Sequence, residues 1–225
     1  MELVVNIMST IAILVYGALA VLSFVSGGLS LRSIFFSVVM FAGVAWTALS
    51  FVNTTTTDQL VTITKAIFLI LNVVYYFLML FSLTLLRHIS SKKLVLLAST
   101  GAALSVITVI TVMFVPASFI FSVLDISDGV VTMMPAPSYM IASLVPMSFL
   151  LISVAAQVIA YRRAQDRQKK ILRNTLISVI VLATFTIIFN VVVQDHDWHW
   201  LGAMSVLIVG PIFYSSVIQH TDDDL

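Results

Sequence analysis

The fold of this protein is decided by stretches such as residues 61–86, which read VTITKAIFLILNVVYYFLMLFSLTLL. This run has a single charged residue, Lys65, and is long enough to cross the roughly 30 Å hydrocarbon core of a membrane as one helix. The whole chain has the same character, since 60% of its 225 residues are hydrophobic and 9% are charged. Soluble domains have about 25% charged residues. The composition therefore predicts an integral membrane protein.

Seven apolar runs of this kind follow one another along the chain, and each predicts a transmembrane helix. The predicted spans are residues 3–26, 33–53, 61–86, 94–115, 138–161, 171–193 and 200–219. They leave too few residues between them for a soluble core. We therefore predict an all-α, polytopic membrane protein in which residues 1–225 form one domain of seven helices.

The basic residues indicate how these helices are oriented in the membrane. Ten of the eleven Lys and Arg residues lie in or beside the first, third and fifth loops, namely Arg32, Arg87, Lys92, Lys93, Arg162, Arg163, Arg167, Lys169, Lys170 and Arg173. The charged residues of the even-numbered loops are all acidic. Because Lys and Arg in short loops are retained on the cytoplasmic side, we predict an outside N-terminus and a cytoplasmic C-terminus.

The longest connection, residues 116–137, falls on the predicted outer side. Asp128 and Gly129 lie between apolar residues in this loop, and an Asp-Gly pair in that setting is a hairpin signal. We expect a short β-hairpin that forms a lid over the outer face. The alternative is an irregular loop that dips into the membrane interface.

A polar stripe on the third span is the main candidate for a ligand-binding site. Lys65, Asn72 and Tyr76 are spaced so that a helix places them within about 40° of one another, and a cation inside a span indicates a functional site. Together with Trp46 and Asn190, they are predicted to line an outward-opening pocket for a small polar or anionic ligand. In the alternative, Lys65 reaches the lipid headgroups and the asparagines bridge helices.

The last outer loop is a weaker candidate, for metal binding. Asp195, His196 and His199 carry ligand groups at helical spacing, but a zinc site needs three or four ligands that converge. The neighbouring Trp198 and Trp200 favour an aromatic anchor at the membrane interface. We therefore predict neither a resident metal nor a cofactor.

Small residues on the fourth span predict a close helix contact. Ala98, Gly101, Ala102 and Ser105 recur at three- to four-residue spacing. Because helices in lipid approach one another most closely where side chains are small, this face is expected to pack tightly on a neighbouring helix.

Several classes of protein are disfavoured by what the sequence lacks. The chain has no cysteine, no predicted span contains Asp or Glu, and the last span has no lysine for a retinal Schiff base. These absences argue against intramembrane proteases and rhodopsins, and we predict no enzyme activity in this chain. A formal net charge of +1, with the cations in short loops, argues against nucleic-acid binding.

A resemblance to a known family supports a receptor function. Residues 161–174, YRRAQDRQKKILRN, and residues 207–214, LIVGPIFY, resemble the basic fifth loop and the glycine-proline pair of the seven-helix N-terminal sensor region of bacterial membrane histidine kinases. The resemblance implies a sensor in a prokaryotic plasma membrane that detects an extracellular or membrane-borne ligand. The sequence contains no phospho-acceptor helix or ATP-binding domain, so output is expected through a cytoplasmic histidine kinase module or a second copy of the chain.

Two other functions remain open from the sequence. In a small-molecule or ion permease, the same polar stripe would line a path through the membrane, but residues 77–81 below it are apolar. A structural subunit of a membrane complex would present an apolar lateral face of small residues instead of a polar cavity. Membrane lipids are expected partners in all three cases.

Overall fold

Six long helices, one short helix and one β-hairpin are the main elements in the part of the chain that the structure describes. The computed structural model describes residues 2–27, 30–49, 56–86, 90–127, 130–187, 210–212 and 214. Its elements are α1 (Glu2–Gly27), α2 (Leu31–Leu49), α3 (Thr57–Thr84), α4 (Ser91–Phe114), the short α5 (Ala117–Ile120), β1 (Phe121–Ser127), β2 (Val130–Pro135), α6 (Pro137–Arg163) and α7 (Asp166–Ile187).

Five of these helices, α1, α2, α3, α4 and α6, are long and apolar enough to cross a membrane. The prediction of a helical, multi-pass membrane protein is therefore confirmed at this level. α7 occupies much of the predicted sixth span. In the predicted seventh span, residues 210–212 and 214 are helical, and its other residues lie outside the described part of the chain.

Local signals in the sequence account for several helix ends. The side chain of Thr56 accepts a hydrogen bond from the backbone of Gln59 at the start of α3, and Ser90 does the same for Lys93 at the start of α4. α6 begins with Pro137 in its first turn, where the missing backbone N–H costs no helical hydrogen bond. Each of these residue types is favoured at a helix N-terminus.

Helices α1 and α2 pack antiparallel through hydroxyl groups and a close contact at a glycine. Ser37 Oγ donates to the carbonyl of Ala20 at 3.0 Å, and Ser23 Oγ donates to that of Ser33 at 3.4 Å. Further along the pair, Gly43 lies directly against the ring of Tyr16, whose side chain is buried. The absence of a side chain at Gly43 therefore allows the two helices to approach closely.

The central helix of the bundle is α3, which packs against α2, α4 and α6. It runs antiparallel to α2, since Arg32 near the start of α2 donates to the carbonyl of Thr84 at the end of α3, at 3.3 Å. It runs parallel to α6, since Phe68 contacts Tyr139 near the helix starts while Ser82 contacts Ser153 further along. Many of the buried apolar residues lie on α3.

The two ends of the bundle differ in charge. We call the end that carries Arg32, Lys92, Lys93, Arg162 and Arg163 the basic end, and the opposite end, where the strands lie, the hairpin end. Lys65 is close to the hairpin end, eight residues after the start of α3 at Thr57. The alternation of helix directions thus gathers the described loop cations at one end, as the sequence predicts.

The hairpin consists of β1 and β2, paired antiparallel from Phe121 with Pro135 to Ser127 with Val130. The two strands flank the Asp-Gly pair, which itself lies outside the described residues. The short helix α5, which leads into β1, is hydrogen-bonded to the start of α6. Ser138 Oγ of α6 donates to the carbonyl of Phe119 in α5 at 2.7 Å. A lid function for this element stays a prediction.

Candidate functional site

The polar stripe predicted on the third span lies on one face of α3, and that face contacts α4. Lys65, Asn72 and Tyr76 each form a hydrogen bond with a residue of α4 or of its C-terminal end. We call this line of contacts the α3–α4 seam. The sequence predicted that the three side chains share a face, and the structure adds which helix they face.

Lys65 binds the end of α4. Its half-buried ammonium donates to the carbonyl of Val115 at 2.7 Å and to that of Met113 at 3.0 Å. The last carbonyls of a helix lack partners within the helix and carry the negative end of its dipole. A cation at this point satisfies two of these carbonyls, so the charge of Lys65 is compensated within the protein.

Asn72 occupies the middle of the seam and is completely buried. Its Oδ1 accepts a hydrogen bond from Ser105 Oγ of α4. Its Nδ2 has no hydrogen-bond partner among the described residues. A buried amide with unpaired N–H groups loses about 1–3 kcal/mol relative to a paired one, so this nitrogen is a candidate contact for a ligand.

Tyr76 completes the seam toward the basic end. Its hydroxyl donates to the carbonyl of Ala98 at 2.9 Å, and its ring lies over Gly101. A Cβ built at Gly101 would come within 3.0 Å of this ring and 3.1 Å of Met79 Cε. The predicted close contact at the small residues of the fourth span is confirmed, and the neighbouring helix is α3.

The structure does not assemble all the predicted site residues. Trp46 is buried on α2 and belongs to the apolar core. Asn190 lies outside the described residues, and so do Asp195, His196 and His199. Within the described ranges, no group of three potential metal ligands occurs.

Because the three stripe residues are engaged with α4, a ligand could reach them only if α4 moved away from α3. α4 is suited to such movement because few of its residues are buried in the bundle. These are Gly101 and Val112. Much of its surface consists of exposed aliphatic side chains, including Val95, Leu96, Leu104, Val106, Ile107 and Ile110. This surface has the character of a lipid-facing one.

A second polar cluster, which the sequence analysis missed, joins α3 to α6. Gln157 Nε2 donates to Ser82 Oγ at 2.8 Å, and Ser82 Oγ lies 2.6 Å from Ser153 Oγ. All three side chains are completely buried, and Gln157 Oε1 has no partner among the described residues. The signal that could have revealed the cluster is the pair Ser153 and Gln157, four residues apart in an apolar span.

An apolar layer separates this cluster from the seam. Leu78 and Phe81 of α3 come between Tyr76 and Ser82 along the helix, and Phe149 of α6 comes one turn before Ser153; all three side chains are buried. The ring of Phe149 packs against that of Tyr76, with centroids 5.7 Å apart. The polar groups of α3 therefore form two separate clusters, on its α4 side and its α6 side.

Comparison of the chain with protein-family models, with curated proteins and with solved structures finds no match.

Proposed function

We propose that this chain is a seven-helix membrane sensor with an outside N-terminus and a cytoplasmic C-terminus. In this proposal a signal enters at the hairpin end or from the membrane and changes the packing of α3 and α4. The change is passed to the basic end, where a histidine kinase module or a second copy of the chain responds. The resemblance to histidine kinase sensor regions supports the same direction of signalling.

The observation that carries the proposal is the position of Lys65. Its ammonium holds the carbonyls of Met113 and Val115, which immediately precede α5 and the hairpin. The central helix is thereby linked to the element expected to face the outside. Movement of the hairpin or of α4 therefore changes the position of α3 through these hydrogen bonds. α3 also contacts α2 and α6.

The odd number of spans in this proposal is supported by Tyr214, near the end of the predicted seventh span. Its hydroxyl lies 3.1 Å from Ser26 Oγ at the end of α1, and its ring packs near that of Phe36 in α2. Tyr214 thus lies at the basic end, whereas α1 begins at the hairpin end. An odd number of spans gives this arrangement.

The contacts support a sensor over the two alternatives. A permease needs a continuous polar path, and the buried layer of Leu78, Phe81 and Phe149 interrupts the polar residues along α3. A structural subunit would display its small residues laterally, but Gly101 packs inside the bundle against Tyr76. The lateral face of α4 carries large aliphatic groups suited to lipid.

Topology can be tested by labelling single cysteines in this cysteine-free chain. Cysteine at Ser127 is expected to react with an impermeant thiol reagent from outside only, and cysteine at Ala164 from inside only. A control cysteine at the exposed, mid-helix Ala103 of α4 is expected to remain unlabelled from either side. Labelling of the first two positions from the same side would contradict the proposed orientation.

Signal transmission can be tested without knowing the ligand, because Lys65→Met releases the end of α4 and imitates its displacement. Spin labels are attached at Lys93 in α4 and Lys170 in α7. Both residues are exposed at the basic end, far from Lys65. We expect the distance distribution between these labels to change in the variant, measured by pulsed electron paramagnetic resonance in nanodiscs. The control is Lys92→Met with the same labels.

An unchanged distribution in the Lys65 variant would contradict transmission through the bundle. Flux of small ions or solutes through liposomes that contain only this protein would favour the permease instead.

A further inference from the structure

Asn72 has the properties of a ligand contact at mid-membrane depth. It lies 15 residues after Thr57, which places it about 22 Å along α3 and thus near the middle of the helix. The amide nitrogen carries two N–H groups, and the described residues offer it no acceptor. In the hydrocarbon core of a membrane, no bulk water is present to accept hydrogen bonds from these N–H groups.

Aromatic residues of α3 lie one helical turn before and one helical turn after Asn72. Toward the hairpin end, Phe68 packs against Tyr139 with ring centroids 5.5 Å apart. Toward the basic end, Tyr76 packs against Phe149 at 5.7 Å. Since α4 and α6 also contact each other, the amide lies where three helices meet, between two aromatic pairs.

This junction is reached more easily from the lipid than from water. The hairpin end of the seam is closed by Lys65 on the carbonyls of α4, and the apolar layer below Tyr76 closes the other direction. α4 contacts both α3 and α6, but its buried residues are Gly101 and Val112, and much of its remaining surface is aliphatic and exposed. A molecule dissolved in the bilayer could therefore enter by displacing α4 sideways.

The geometry points to a lateral binding site between α3, α4 and α6 for a membrane-soluble molecule with a flat ring and a carbonyl oxygen. The oxygen accepts a hydrogen bond from Asn72 Nδ2, and the ring stacks on the flanking aromatic side chains. This inference rests on the proposed sensor function in taking that molecule as the signal. In place of the polar or anionic ligand expected from the sequence, this inference takes an apolar ring whose carbonyl oxygen faces Asn72.

The test uses two probes of matched tail, a decyl-substituted 1,4-benzoquinone and decylbenzene, which lacks the carbonyl groups. Thermal unfolding of the wild-type protein in nanodiscs is followed while each probe is titrated. We expect the quinone to raise the melting temperature saturably, and decylbenzene to have no saturable effect. A ligand that binds the folded state but not the unfolded state raises the melting temperature in this way.

The decisive variant is Asn72→Leu, which removes the amide at similar volume. We expect it to bind the quinone about tenfold more weakly, as loss of one hydrogen bond predicts. Ser82→Ala, in the separate α3–α6 cluster, serves as the matched control and is expected to bind like the wild type.

Equal responses of the wild type to the quinone and to decylbenzene would overturn the site without recourse to any variant. An unchanged affinity for the quinone in folded Asn72→Leu would also overturn the site. The stabilisation by quinone would then come from partitioning or from another site, and the partner of the Asn72 amide would be a water molecule.

The spin-label pair at Lys93 and Lys170 separates this inference from the sensor function. Saturable, Asn72-dependent binding without a change in the label distance would retain the site and reject the proposed sensing. A distance change in Lys65→Met without quinone binding would reject the site and retain the sensor.

Discussion

Replacement of Lys65 by methionine is expected to lower the free energy of unfolding by about 2 kcal/mol. Hydrogen bonds from charged donors contribute about 1.5–3 kcal/mol each, and Lys65 forms two, to Met113 and Val115. Polar contacts between helices in bilayers are weaker on average, at about 0.6 kcal/mol. Removing a charge from within a span also offsets part of the loss. The carbonyls at the end of α4 remain unsatisfied in the variant, so the net effect is destabilising.

The measurement is reversible unfolding in mixed micelles, with Lys92→Met as the matched control. Lys92 is exposed at the start of α4, so its loss is expected to change stability by less than about 0.5 kcal/mol. Equal stability of the Lys65 variant and the wild type would show that the ammonium prefers the headgroups to the helix end.

Gly43→Val is expected to destabilise the protein by about 3 kcal/mol. A Cβ at this position would lie 2.8 Å from Cε1 of Tyr16, a distance that real Cβ contacts do not show. The ring of Tyr16 is 1% exposed, so it has little room to move. Overpacking of this kind costs about 1–3 kcal/mol, and the two methyl groups of valine place this variant at the upper end.

The matched control for this prediction is Gly17→Val on α1, where a Cβ meets no atom within 4 Å. We expect the control to unfold like the wild type in the same assay. A cycle with Tyr16→Ala is expected to show coupling, because the smaller side chain makes room for valine. Equal loss at both glycines would mean that glycine acts through the helix backbone rather than through the contact with Tyr16.

The spans and their approximate bounds could be predicted because they depend on local properties. Hydrophobic length and the positions of loop charges are visible in the sequence itself, and α1, α2, α3, α4 and α6 begin and end within a few residues of the predicted spans. The prediction that Lys65, Asn72 and Tyr76 share a face was equally local, since it depends only on helical periodicity.

The partner of that face could not be predicted in the same way, because it depends on which helices become neighbours. The complementary signal was present on the fourth span, in Ala98, Gly101 and Ser105. Pairing these small residues with Tyr76 and Asn72 requires knowing that α4 returns along the same side of α3. From the sequence we expected the three stripe residues to line an open pocket, whereas in the structure they are hydrogen-bonded to α4 or its C-terminal end.

The cluster of Ser82, Ser153 and Gln157 was missed for a related reason. Serine is common in membrane helices, where its hydroxyl can bond to the carbonyl four residues earlier, and Ser82 does so with Leu78 at 2.8 Å. A single serine therefore carries little information. Only the parallel packing of α3 and α6 brings the three side chains together.

The parallel arrangement of α3 and α6 has a consequence for biogenesis. Ser82 and Ser153 are 71 residues apart in the chain, which a ribosome takes roughly 4–14 s to add at 5–20 residues per second. Antiparallel neighbours such as α1 and α2 can associate as they leave the translocon, but Ser82 of α3 has no partner on α6 until α4, the hairpin and α6 have been synthesised. During that interval the bond from Ser82 to Leu78 satisfies the hydroxyl within its own helix. The central helix can thus enter the membrane early, and Gln157 joins it when synthesis of α6 is complete.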